Sequence, residues 1–327
     1  MKAAVQKQYG PPETIKLLEM PTPAIKTGEI LVRVRASSVN RTDDGFLRAK
    51  PFVTRFFSGL TKPRNPILGC EFAGDVVAVA SDVAEFEIGD RVFGFDDVGW
   101  GGHGEFKAIS TVKSVTKIPK NVSYEQAAVS GEGAHYAMSY IYVMQKLGAQ
   151  RVLVHGATGA IGSAAVQLLK QAGMHVVATS TTKNVALVES FGADSVIDWE
   201  KEDFTKCGET FDVVFDAVGK SSFAACKTLL KPRGIYIATE LGPYGQNPLL
   251  GLMSPLYKLL GLKRVLFPLP KNTKQIIEHI AKCLDDGSFK PVIDRSYPLE
   301  DIISAYKYVE TGQKTGNVVI TLSSSVQ

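Results

Sequence analysis

The chain has 327 residues, 45% of them hydrophobic and 21% charged, with a net charge of +4. That length implies about two domains, and the mild charge with scattered Lys and Arg argues against a nucleic-acid groove. The N-terminus, MKAAVQKQYG, has no apolar signal core, and no stretch has the uninterrupted apolar length of a membrane span. The four cysteines, Cys70, Cys207, Cys226 and Cys283, are far apart and form no C-x-x-C, so a reducing cytoplasm is the expected location.

Residues 1 to about 120 are rich in strand signals. Ile30–Ala36, Phe72–Ala80 and Arg91–Phe95 are apolar runs punctuated by Pro and Gly, which suggests an antiparallel β domain. Residues 46–62 are apolar, aromatic and basic, and read as a packed surface loop or a flap over a pocket. From Ser123 the texture changes. A helical pattern over Tyr124–Leu147 leads into the apolar run Val152-Leu153-Val154, then glycines at Gly156, Gly159 and Gly162, then a helix. Strand, glycine turn, helix is the context in which a backbone cradles a pyrophosphate at a helix N-terminus. The predicted cradle is Gly156, Ala157, Thr158, Gly159, Ala160, Ile161 and Gly162, with Ala157 where the strict fingerprint has its first glycine.

Further strands are expected at Val176–Ala178, Val196–Ile197, Val213–Phe215 and Ile235–Ile237, with helices near 183–192 and 221–230. Such alternation builds a parallel sheet with helices on both faces. Residues 241–270 carry five prolines and read as irregular. The tail adds a helix at 273–286, a strand at 291–297, a helix at 299–311 and a last strand, Val318–Leu322.

Several words in order along almost the full length carry a family resemblance. They are Val39-Asn40-Arg41-Thr42-Asp43, Asn65 to Gly74, Gly89-Asp90-Arg91-Val92-Phe93-Gly94, His155 to Gly162, Phe211 to Gly219, and Gly316-Asn317-Val318-Val319-Ile320. The chain resembles the medium-chain dehydrogenase/reductase superfamily, in the zinc-independent quinone oxidoreductase branch that includes zeta-crystallin. The resemblance implies an α/β fold of two domains. A GroES-like β-rich catalytic domain comprises 1–121 and 268–327, and a Rossmann domain with a doubly wound parallel sheet comprises 122–267. It also implies a homodimer and a small electrophilic substrate.

The second strand of the Rossmann domain ends Thr179-Ser180-Thr181-Thr182-Lys183 with no acidic residue for a ribose 2′-hydroxyl. Ser180, Thr181 and Lys183 are therefore read as the site of a 2′-phosphate, which makes NADPH the expected cofactor. Asp216 and Val218 end a strand at the cofactor face, where Asp216 can equally cap a turn.

Zinc-dependent relatives carry Cys where this chain has Asn40 and His where it has Cys70, and their cysteine-rich lobe has no counterpart. No metal is expected, and Cys70 reads as a small buried residue. The candidate catalytic residues are Asn40, to hydrogen-bond a substrate oxygen, Arg41, to bind an oxyanion, and Asp43, to pair with Arg41. A turn cap and a structural salt bridge are the open alternatives. Trp100 and His103 can line a pocket, although a surface histidine is the commoner outcome. The expected reaction is hydride transfer from NADPH to a quinone or an α,β-unsaturated carbonyl. A zinc-free carbonyl or alcohol dehydrogenase, and an NADPH-binding protein without catalysis, remain the alternatives.

Overall fold

The computed structural model describes residues 1–242, 245–268 and 273–322. The chain divides into two compact units, Met1–Glu132 with Asn272–Gln327, and Gly133–Lys271.

The first unit is built on β3 (Glu29–Val39), whose eleven residues give it pairing length for three partners. β4 (Glu71–Val79) runs antiparallel along one edge, with register shifts at Leu31/Val32 and Val34/Ala36 that let the strand coil. On the other edge β6 (Phe106–Ser110) pairs with Glu29–Arg33, and β15 (Asn317–Thr321) pairs with Ala36–Val39. β5 (Arg91–Phe95), β7 (Ser114–Lys117) and β14 (Ile293–Pro298) complete a seven-stranded sheet, and β1 (Lys2–Val5) with β2 (Lys16–Glu19) makes a separate hairpin. The expected antiparallel β texture is thus present, closed by a strand from the far end of the sequence.

Two helices bear on the site. α1 (Arg41–Arg48) starts directly after β3, and Asp43 accepts the Asn40 backbone N–H at 2.8 Å, tying the first turn as an N-terminal cap does. α3 (Tyr124–Ala128) begins at a capping box in which Ser123 Oγ accepts the Gln126 N–H at 3.2 Å and Gln126 Oε1 accepts the Ser123 N–H at 3.1 Å. α3 packs on β3, β4 and β15, which is why it belongs to the first unit. The helix expected over Tyr124–Leu147 is therefore two helices. It breaks at 129–131 and resumes as α4 (Glu132–Lys146), because buried Glu71 accepts the Glu132 N–H at 2.6 Å.

The second unit holds a six-stranded, all-parallel sheet. Its strands are β8 (Arg151–His155), β9 (His175–Ser180), β10 (Ser195–Asp198), β11 (Phe211–Asp216), β12 (Leu230–Ala238) and β13 (Arg264–Leu266). Their order is β10-β9-β8-β11-β12-β13, the doubly wound arrangement, with its switch point between β8 and β11. The strands read as near-continuous apolar runs because the sheet is covered on both faces. Leu153, Val177, Val214, Tyr236 and Val265 share one core cluster. β13 lies inside the stretch expected to be irregular, where α6 (Gln246–Leu252) and α7 (Ser254–Leu259) also form. Pro243 and Pro270 of that stretch lie outside the described residues.

Candidate functional site

The first unit buries a polar cluster around the end of β3, the start of β4 and the first residue of α4. Ser38, Asn40, Asp43, Cys70, Glu71 and Glu132 are all buried there. Glu71 is its centre. Its Oε1 accepts the Glu132 amide at 2.6 Å, and its Oε2 accepts the Ser38 hydroxyl and the Asn40 carboxamide N–H, the latter at 2.9 Å. Asn40 Oδ1 accepts a hydrogen bond from the Lys314 ammonium at 3.0 Å, and that ammonium also donates to the Gly316 carbonyl at 2.5 Å. Thr42 donates its hydroxyl to Glu132 Oε1, and the Cys70 thiol lies 3.7 Å from Glu132 Oε2.

Burial penalises every charge in this cluster. It pushes Glu71, Asp43 and Glu132 above the ordinary carboxyl range, and for Glu71 and Asp43 the facing Glu132 adds to the rise. The Cys70 thiol is pushed well up by burial, then by Asp43 and Glu132, so it is a neutral S–H. Lys314 is pulled down to about 8 by burial, although Glu132 and Glu71 oppose the fall.

Of the expected catalytic residues, Asn40 and Asp43 lie in this cluster and Arg41 is exposed on the outside of α1. Asp43 takes the Asn40 backbone rather than serving as an exposed partner, and further along α1 Arg48 pairs with Asp44 at 3.3 Å and with Glu310. His103 is not on the surface. It is buried, its Nε2 lies 2.7 Å from the Ser38 carbonyl, and burial holds its pKa down to about 4, so it is neutral and structural.

A cavity of about 550 Å³ opens in the same unit, walled by Phe46, Phe56, Phe57, Leu68 and Trp100, with Arg64 at its polar side. Trp100 holds a left-handed backbone, φ 52°, which a bulky residue rarely adopts. Its ring packs on Phe46 with centroids 4.5 Å apart. The stretch at 46–62 thus supplies part of a pocket wall and the short helix α2 (Thr54–Ser58).

In the second unit the glycine loop follows β8. Gly156 has φ 83°, and a Cβ there would meet Val218 at 2.6 Å. A Cβ on Gly162 would stand 2.1 Å from the Gly156 carbonyl oxygen, so the helix α5 (Ala160–Gln171) can approach the loop only with glycine at that place. Gly159 has open space, its nearest contact being 3.8 Å away. The Gly156 and Ala157 amides are tied to β9 by Thr179, at 3.2 Å to its hydroxyl and 3.3 Å to its carbonyl. The loop is therefore held rigid from below, with Thr158 and Gly159 leading into the α5 N-terminus. These features fit a dinucleotide pyrophosphate.

At the end of β9, Ser180 is buried and donates its hydroxyl to the Thr181 carbonyl at 3.2 Å, while Lys183 in the turn beyond is exposed. Folding also brings two acids to this turn that no local reading shows. Asp198 Oδ2 accepts the Thr182 hydroxyl at 2.7 Å, and Glu200 accepts the Thr182 N–H at 2.9 Å. Asp198 is itself paired with Lys201 at 3.0 Å. Asp216 is buried and accepts three backbone N–H groups, from Val218, Gly219 and Ser221, and the Tyr236 hydroxyl. It is a turn cap that places Val218 beside Gly156. Gly133, the second residue of α4, is glycine for a steric reason: a Cβ would stand 2.7 Å from the Ala160 carbonyl oxygen.

Residues 26–120 match the model of the alcohol dehydrogenase GroES-like domain, and residues 191–320 match that of the zinc-binding dehydrogenases. The chain is 30% identical to the 2-methylene-furan-3-one reductase of Solanum lycopersicum over 98% of its own length and 79% of that protein. It is 28% identical to the chloroplastic NADPH-dependent alkenal/one oxidoreductase of Arabidopsis thaliana, over 98% and 79% respectively. The quinone oxidoreductase structure from Coxiella burnetii superposes with a TM-score of 0.84 at 26% identity, covering 99% of each chain. The chain belongs to the medium-chain dehydrogenase/reductase superfamily, in its quinone oxidoreductase branch. It is an oxidoreductase of nicotinamide-cofactor type, and the glycine loop of the second unit fits that cofactor.

The matched family name raises the question of zinc. Asp43, Cys70 and Glu132 bring potential ligand atoms within 4.8 Å of one another, a convergence of acids that sequence spacing hides. Three such groups are one fewer than a closed structural zinc site uses, and Glu132 is already engaged: it accepts the Thr42 hydroxyl and lies 3.7 Å from the Cys70 thiol. Lys314 already brings a cation to the acids.

Proposed function

We propose that the protein is a zinc-independent reductase that transfers hydride from NADPH to a quinone or an α,β-unsaturated carbonyl compound. The observation that carries this reading is the cavity of about 550 Å³ walled by Phe46, Phe56, Phe57 and Trp100. Aromatic walls suit a planar, conjugated acceptor, which already delocalises incoming charge and needs no Lewis acid. The names of the relatives, an alkenal/one oxidoreductase and a furanone reductase, support the same acceptor class.

NADPH, when bound, supplies the hydride. Gly156, Ala157, Thr158, Gly159, Ala160, Ile161 and Gly162 would hold the pyrophosphate, with Asp216 and Val218 bracing the loop. Lys183 and Thr181 would bind the 2′-phosphate, Ser180 fixing the turn from beneath. The pairing of Asp198 with Lys201 lessens the repulsion its carboxylate would exert there. Arg41, exposed on α1, would stabilise developing negative charge on the acceptor oxygen. Asn40 and Asp43 position the first turn of α1, and the Asn40 carboxamide reaches a substrate oxygen only by giving up Glu71 or Ser38.

NADPH oxidation assayed against 1,4-benzoquinones, 2-alkenals and saturated aldehydes tests the reading. Turnover is expected with the first two and not the third, unchanged by a chelator. Tight NADPH binding without turnover overturns the reductase, and loss of activity on chelation overturns the zinc-free mechanism.

A further inference from the structure

The cavity of the first unit is larger than a bare quinone or a short alkenal needs. Its volume of about 550 Å³ is that of a drug-sized ligand. Its mouth is apolar and uncovered. Phe56 is 60% exposed, Phe57 73% and Val98 73%, although all three line the space. Apolar surface left bare around a concave site is surface that a ligand can cover.

The wall also holds a cation that the fold does not use. Arg64 is the one basic residue lining the cavity, and it is exposed. Among the described residues no carboxylate pairs with its guanidinium, Asp97 of the same wall included. The other arginines of this stretch are engaged. Arg48 pairs with Asp44 and Glu310, and Arg55 lies 4.8 Å from the centre of the Tyr9 ring and donates to the Leu60 carbonyl at 3.1 Å. From Gly45 to Cys70 the sequence has no Asp or Glu, and Lys50 and Lys62 of that stretch are exposed together with Arg64. The local field therefore favours an anion.

We propose that the acceptor reduced at this site carries a carboxylate at the end of an apolar tail, and that Arg64 binds that carboxylate. The proposal rests on the reading of this cavity as the acceptor pocket. The tail lies against Phe56, Phe57 and Val98, and the planar fork of Arg64 takes both carboxylate oxygens. A phosphate suits the wall less well, because its second negative charge would face Asp97 with no second guanidinium to offset it. The carboxylate takes no part in bond making. Hydride and a proton add across the conjugated C=C at the far end, and the tail supplies remote binding energy that holds it in place.

The experiment is steady-state oxidation of NADPH by the full-length protein with 10-oxo-8-decenoate, its methyl ester, and neutral 2-alkenals of increasing chain length. The acid is expected to exceed the ester in kcat/KM by roughly tenfold, the worth of a charge-assisted pair, with the gap narrowing as salt rises. Arg64→Gln should bring the ratio of acid to ester to about one, and Arg64→Lys should retain part of it. Among the neutral alkenals KM should fall as the chain lengthens, because more of the tail leaves water. Equal kcat/KM for acid and ester in the wild type overturns the proposal and leaves the reductase reading in place. So does a preference for the acid that survives in Arg64→Gln. Turnover of none of these compounds overturns the reductase reading, and the proposal with it.

Discussion

The Lys314 ammonium, from the turn before the last strand, hydrogen-bonds the Asn40 carboxamide oxygen at 3.0 Å across 274 residues of sequence. The other end of that carboxamide donates to Glu71 at 2.9 Å. Asn40 is thus a bridge between a cation and a buried acid. Its side chain relays an interaction that a direct Lys–Glu contact would make with a heavier desolvation cost.

Replacing Asn40 by Ala should remove both hydrogen bonds and leave two polar partners underpaid. The expected loss of stability is about 1–3 kcal/mol, the usual cost of an unpaired buried polar group. Urea unfolding measures it. Turnover should fall while NADPH affinity stays nearly unchanged, and a variant that chiefly weakens NADPH binding would contradict the placement of Asn40 in the first unit's chemistry.

Stability should depend on pH through Glu71. Its carboxyl titrates above the ordinary value of 4.5, chiefly because it is buried and then because Glu132 faces it. The folded chain therefore holds that proton more tightly than the unfolded chain. The stabilisation is complete below the unfolded value and declines as pH rises from about 5 into the neutral range. Lys314, held down to about 8, works the other way and is relieved only above that pH. Glu71→Gln should flatten the decline between pH 5 and 7 relative to the wild type, read from urea midpoints. Parallel profiles would show that Glu71 does not titrate in this range.

The two later glycines of the cofactor loop should separate stability from binding. Gly162→Ala puts a methyl group 2.1 Å from a backbone oxygen and should cost about 1–3 kcal/mol through overpacking. Gly159→Ala has room, with its nearest contact at 3.8 Å, and should leave thermal unfolding nearly unchanged while weakening NADPH and NADH alike. Equal effects of both on melting temperature would mean that the open side of the loop is not where the backbone meets its ligand.

Lys183 is exposed at the turn after β9. Lys183→Ala should raise the Kd for NADPH by roughly tenfold, the worth of one charge-assisted hydrogen bond, and leave NADH unaffected. Competing titrations of the two cofactors provide the measurement. Equal weakening of both would remove Lys183 from the phosphate site.

What could be read from the sequence was local. Val152–Gly162 contains its strand, turn and helix in one stretch, so periodicity and glycine spacing were enough. The start of the helix after Asn40 is local too, an Asn followed three positions later by Asp, in keeping with the turn cap open to Asn40 from the sequence. Other features are tertiary. Glu71 and Glu132 lie 61 positions apart, and their meeting both breaks the helix expected over Tyr124–Leu147 and creates the buried acidic cluster. Asp198 and Glu200 reach the turn after β9 only because β10 pairs beside it. β13 is three residues long, and its pairing with β12, not its own pattern, makes it a strand. His103 looked like a loop residue because its burial depends on β3 and on Tyr306, with ring centroids 5.9 Å apart.

The packing of Trp100 on Phe46 has an evolutionary consequence. Trp100 pays for a left-handed backbone with the contact its ring makes, so the two residues behave as one mutational site. A change at either alone loses packing and frees the strained turn together. Drift of the cavity toward a different acceptor is therefore expected to pass through paired substitutions, with the glycine that would relax position 100 tolerated only once Phe46 has also changed.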